Sequence, residues 1–131
     1  GPLLDRIDIH IDVPAVDVKK ITADGEEDVE DSKTVRSRVT KARKHQQKRF
    51  ADKKVVTNSE MSAKDIKTLL KIEKDAQDIL RDAVTKLSLS ARSYHKVIKV
   101  AQTIADLANS DTIKTEHALE ALQYRPKTAS D

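Results

Sequence analysis

The 131 residues fit one domain of ordinary size, with 36% of them charged and only 2% aromatic. Two glycines, one Phe and no Trp or Cys disfavour a turn-rich β-sandwich or barrel and an aromatic stacking platform for single strands, and they exclude a disulfide scaffold and a thiolate zinc site. The net charge of +3 hides a division, because residues 1–32 carry ten acids and three bases, residues 33–54 ten bases and one acid, and residues 55–131 twelve bases and eleven acids. No apolar run approaches the roughly 20 residues of a membrane-spanning helix, and the composition suits a soluble, helix-rich protein expected in the cytoplasm.

Along the chain, residues 5–13 alternate strictly. Ile7, Ile9, Ile11 and Val13 fall on one face, and Arg6, Asp8, His10 and Asp12 on the other. The period of two predicts a strand, ended by Pro14. No second strand of similar quality follows, and a lone strand has no partners for its backbone groups. Its partner strands are therefore expected on another chain or in a larger sheet of which this is a fragment, and residues 1–14 are expected to be poorly anchored or to pair edge-to-edge with a second copy of the chain. Residues 15–32 read as an acidic loop with a turn at Gly25.

A basic helix over 33–53 follows, with Ser32 as the expected N-cap and a narrow stripe of Val35, Val39, Ala42, Gln46 and Phe50. Ser62, three residues before Asp65, predicts a capping box and a helix with Ile66, Leu69 and Leu70 on its apolar face. Ile72, Ala76, Ile79, Leu80, Ala83 and Leu87 repeat at helical spacing. Ser88-Leu89-Ser90 interrupts them. Ser90 is placed to cap the clearest helix, whose stripe is Tyr94, Val97, Ile98, Ala101, Ile104, Ala105 and Ala108. After a turn at Asn109-Ser110-Asp111, a last helix runs from about Thr115 to Tyr124, and Pro126 stops it. The expected organisation is a strand segment at 1–14, an acidic loop at 15–32, a basic helix at 33–54 and a group of about four helices at 55–131.

Ten cations in 33–54 can neutralise phosphates along a nucleic acid, with Arg36, Lys41, Arg43, Lys44, Lys48 and Arg49 as the candidates. The plainer reading is a solvated face, or one that docks on the acids just before it. His10, His45, His95 and His117 lack ligand spacing, so no metal site is expected and all four read as surface or boundary residues. With Gly only at 1 and 25, no phosphate loop can be written. Arg6 reads equally as a salt-bridge partner of Asp5 or Asp8 and as an arginine set at a subunit boundary to meet a nucleotide.

Three blocks carry a resemblance. Gly1-Pro2-Leu3-Leu4-Asp5-Arg6-Ile7-Asp8-Ile9-His10-Ile11 resembles the segment that ends the ATPase core in the magnesium-chelatase-like AAA+ family. Leu87-Ser88-Leu89-Ser90-Ala91-Arg92-Ser93-Tyr94-His95 with Ala101-Gln102-Thr103-Ile104-Ala105-Asp106-Leu107 resembles its lid signature. Glu120-Ala121-Leu122-Gln123-Tyr124-Arg125 resembles its C-terminal ending. The Leu-Ser-Ala-Arg-Ser-Tyr-His run and the Leu-Gln-Tyr-Arg ending resemble the bacterial ComM (YifB) branch more than authentic chelatase subunits.

The resemblance implies a mainly α fold, the AAA+ C-terminal helical lid, preceded by a long basic insertion helix and the last strand of the ATPase core. It implies the back third of an ATP-dependent ring motor acting on branched DNA in recombination of transforming DNA. Arg6 matches the arginine finger and Arg92 the sensor-2 arginine, both acting at subunit boundaries in the homo-oligomeric ring. A fixed planar cation suits the charge on a phosphoryl group in transfer. ATP and Mg2+ are implied for the full-length protein, and no independent ATPase activity is expected where Walker A and Walker B are missing. The partners implied are the upstream core, neighbouring subunits and DNA, with no membrane. Two alternatives stand beside this: a nucleic-acid-binding helical module without an ATPase role, and the lid of a magnesium chelatase motor subunit.

Overall fold

The computed structural model describes residues 6–13 and 30–126. The described residues form α1 (Ser32–Arg49), a 3-10 turn (Asn58–Glu60), α2 (Ala63–Leu69), α3 (Lys74–Lys86), α4 (Ala91–Leu107) and α5 (Thr115–Gln123). The turn expected at Gly25 and the tail beyond Pro126 lie outside them.

Helix α4 is the centre of the bundle. It packs against α1, α2, α5 and the 3-10 turn, while α3 packs on α5. The reason lies in its composition: Ala101 and Ala105 are fully buried and Val97, Ile98 and Val100 nearly so. Small side chains there let neighbouring helices approach closely, and Ala76, Ala118 and Ala121 do the same on α3 and α5. Around this alanine seam, Phe50, Met61, Ile66, Leu80 and Ile113 supply the bulk of the core.

The helix ends follow the local chemistry. Ser62 and Asp65 form the expected capping box, with the Asp65 amide donating to Ser62 Oγ (3.1 Å) and the Ser62 amide to Asp65 Oδ2 (3.0 Å). Ser90 Oγ accepts the Ser93 amide at 3.1 Å, as expected for the cap of α4. Helix α1 differs by one residue: its cap is Asp31, whose Oδ1 accepts the Thr34 amide at 2.8 Å, and Ser32 is already helical. A carboxylate at that position also suits the positive end of the helix dipole. The same helix stops at Arg49, earlier than residue 53, because Phe50 turns into the core and is 3% exposed.

Two helices end without glycine. Ser88 and Asn109 take positive φ, 52° and 57°. Each sits in a Schellman motif, with Leu89 N–H donating to Val84 O (3.1 Å) and Ser110 N–H to Ala105 O (2.9 Å). Backbone bonds from Ile113 N–H to Lys71 O (2.8 Å) and from Glu73 N–H to Ile113 O (3.0 Å) then tie the approach to α3 to the approach to α5.

Residues 7–13 do not form the expected strand, and no strand occurs among the described residues. Ile9, Ile11 and Val13 are exposed, and the segment is held by the His10 amide on Tyr124 O at 2.7 Å. The alternating pattern is real, but among the described residues no neighbouring strand completes a ladder. The stripe on α1 is likewise only half used. Ala42, Gln46 and Phe50 are buried, whereas Val35 and Val39 are exposed, as are all of the first ten residues of the helix.

Candidate functional site

A cationic site lies at the N-terminal end of α4. Arg92 stands in the first turn, just after the Ser90 cap, and is exposed. At one and two further turns, Lys96 and Lys99 share its face, as their spacing along a helix requires. Arg6 arrives from the N-terminal segment, so Arg6 and Arg92 line one cleft of about 630 Å³ together with Asp8, Ser59, Met61, Ala63, His95, Lys96 and Lys99.

Within that cleft the cations differ. Lys99 Nζ donates to Ser59 O at 3.0 Å, which fixes it to the 3-10 turn. Lys96 lies 4.0 Å from Asp8, a contact too long and too exposed to hold either side chain firmly. Neither guanidinium has an acidic partner among the described residues. Two planar guanidiniums with no acidic partner among the described residues, beside the positive end of a 17-residue helix, suit an oxyanion such as a phosphate. Sequence reading singled out Arg6 and Arg92, and the fold brings them to the same opening. Lys96 and Lys99 were not singled out, although their i+4 and i+7 spacing from Arg92 carries the signal.

The basic helix resolves into two kinds of cation. Arg49 points inward, its side chain 15% exposed, and donates twice to Asp106, through Nη2 to Oδ1 (2.7 Å) and Nη1 to Oδ2 (3.1 Å). Asp106 is fully buried and also accepts from Asn58 Nδ2 and Gln102 Nε2, each at 2.9 Å. Asn58 in turn accepts from Arg49 Nη1 (2.9 Å), and its amide donates to Gln46 Oε1 (3.0 Å). This network clamps α1 to α4 and leaves no buried polar side-chain atom unpaired among the described residues. It was invisible in sequence, where Arg49 and Asp106 stand 57 positions apart. Arg36, Lys41, Arg43, Lys44 and Lys48 stay exposed.

The histidines divide as well. His117 is buried, not at the surface, and its Nδ1 accepts the Lys114 amide at 3.0 Å to close the start of α5. His45 Nε2 meets Asn109 Oδ1 at 2.6 Å, joining α1 to the turn after α4. Among the described residues, no group of three His, Cys, Asp or Glu is placed to hold a metal ion, and no helix is long and apolar enough to cross a membrane.

Comparison with known proteins agrees with this architecture. The family model described as "Magnesium chelatase, subunit ChlI C-terminal" matches residues 29–125. The competence protein ComM of Haemophilus influenzae is 38% identical over 125 residues, and the Escherichia coli protein YifB, itself described as uncharacterized, is 35% identical over 128. In both cases 95% of this chain is covered, and the chain spans 24% of the relative's length. A Mycobacterium tuberculosis protein is 30% identical over 125 residues. With its all-helical described core and a match that runs from the start of α1 to the end of α5, the chain belongs to the magnesium chelatase ChlI C-terminal family.

Proposed function

We propose that this chain is the lid portion of an AAA+ ring motor of the ComM type, and that Arg6 and Arg92 act on ATP at subunit boundaries. The observation that carries the reading is the shared cleft: two arginines 86 positions apart in sequence line one opening and lack acidic partners among the described residues. Similarity to ComM and YifB over 95% of the chain supports the same assignment.

The residues present fit phosphate oxygens and do not fit Mg2+. Guanidinium forks offer planar paired donors, whereas Asp8 is the one carboxylate among the described residues that line the cleft. Bound ATP supplies the γ-phosphoryl group whose oxygens carry charge during transfer. Arg92 is set to donate to those oxygens from the first turn of α4, where the dipole adds to its charge. Arg6 approaches from the N-terminal segment as a second cation, in the manner of an arginine finger. The nucleoside, Mg2+ and the Walker elements belong to the upstream core and neighbouring subunits, and DNA is the substrate on which the ring works.

The test is ATP turnover by the full-length protein with Arg6→Ala and Arg92→Ala introduced separately. An arginine finger contributes roughly 10³–10⁵ in turnover elsewhere, so each variant should lose at least tenfold. Near wild-type turnover in both would overturn the assignment. The family description favours one second reading, a chelatase motor subunit, which predicts ATPase activity stimulated by a porphyrin.

A further inference from the structure

Helix α1 contains eight Lys or Arg and no Asp or Glu in 18 residues. The structure removes two of those cations from consideration: Arg38 pairs with Glu30 and Arg49 with Asp106. The other six are Lys33, Arg36, Lys41, Arg43, Lys44 and Lys48, all exposed and with no acidic partner among the described residues. At about 100° per residue they occupy roughly 160° of the helix circumference, centred opposite the buried Ala42 and Gln46. From Lys33 to Lys48 the row runs about 22 Å at 1.5 Å per residue. Ser37, Thr40 and Gln47, exposed on the same outer face, add neutral donors.

We propose that this outer face of α1 is a docking surface for the phosphate backbone of duplex nucleic acid, contacted without sequence preference. The charge row is long, single-signed and held on a helix whose other end is fixed by the Arg49–Asp106 clamp, so it meets a partner as a rigid rod. Each strand of a duplex presents about one negative charge per 3.4 Å of its axis, a spacing that six cations over about 22 Å approach. The face carries no aromatic residue, so it lacks the stacking platform by which single strands are usually gripped. Ser, Thr and Gln between cations are the side chains that bond phosphates and sugars. The surface is separate from the Arg6–Arg92 cleft, and the proposal stands whether or not that cleft handles ATP.

The experiment is fluorescence anisotropy with a labelled 20-base-pair DNA duplex and the matching single strand, titrated with the full 131-residue chain between 50 and 200 mM NaCl. The chain should bind the duplex more tightly, and log affinity should fall linearly with log salt. Lys41→Gln, Lys44→Gln and Lys48→Gln together should reduce the salt slope by up to about 0.9 per contact removed and weaken binding at 50 mM at least tenfold. A control triple on α2 and its flank, Lys64→Gln, Lys67→Gln and Lys71→Gln, should stay within twofold. Circular dichroism checks that both triples remain helical, and a charge-reversed Lys44→Glu single variant reads the same surface if the α1 triple unfolds. No binding to the duplex at 50 mM, equal losses in the two triples, or tighter binding to the single strand would each overturn the proposal.

Discussion

Replacing Asp106 by Leu deletes the acceptor at the middle of the α1–α4 clamp. Four donor contacts converge on this carboxylate, two from Arg49 and one each from Asn58 and Gln102, and the residue is 1% exposed. The single substitution leaves a guanidinium and two amides facing an apolar side chain. Removing one partner of a buried pair costs about 3–5 kcal/mol, a large part of the roughly 5–15 kcal/mol available to a domain. Arg49→Met should be of similar severity, because it strands the carboxylate with two neutral donors. The double variant removes both charges and leaves neutral groups alone unsatisfied, Asn58 and Gln102 each short of a partner, at about 1–3 kcal/mol per group. The two substitutions should therefore couple by more than about 2 kcal/mol, the sign of residues acting in one network. Urea unfolding followed by circular dichroism, with unchanged m-values, measures all four corners of the cycle. Costs below about 1 kcal/mol for either single variant, or simple additivity, would refute the view that this network holds α1 to the bundle.

Ser88 ends α3 at φ 52° where glycine carries no Cβ penalty, so Ser88→Gly should raise stability by up to about 1 kcal/mol, read as a higher thermal midpoint. Leu80→Ala, at a site 1% exposed, should cost about 2–5 kcal/mol, whereas Val35→Ala on the exposed first half of α1 should stay within about 0.5 kcal/mol. The hydroxyl and amide of Thr34 hold the Asp31 carboxyl below its ordinary value of 3.8, and the Ser62 amide does the same for Asp65. Depressed carboxyl values mean stability that is present above the unfolded value and lost as pH falls through the folded one. The thermal midpoint should thus drop below about pH 4, and less steeply in Asp31→Asn and Asp65→Asn. A pH profile in those variants identical to that of the parent would contradict the two caps.

Local chemistry was legible in the sequence. Ser62 with Asp65, Ser90 before α4, the turn at Asn109 and the apolar repeats of α3, α4 and α5 all act over three or four residues, and the structure follows them. Arg6 and Arg92 were found as candidates through the family-like blocks around them, since nothing in spacing alone distinguishes a functional arginine from a solvated one. What reads less surely is any property that depends on a neighbour. The strand pattern of residues 7–13 specifies a face but not a partner, and without a partner no ladder forms.

Only the tertiary structure decided how the cations divide. In sequence, Arg49 and Lys48 are adjacent and equivalent. In the fold, Arg49 is spent on Asp106 while Lys48 stays in solvent, because burial and pairing depend on where α4 passes. The same holds for Asn58, Gln102 and Asp106, polar residues that the packing of α1 on α4 buries together with Gln46. The sequence by itself determined the helices, most of their caps and the excess of positive charge, since these are set within a turn or two of chain. Which charges hold the molecule together, and which face outward to meet a phosphate, required the long-range contacts that only the folded bundle makes.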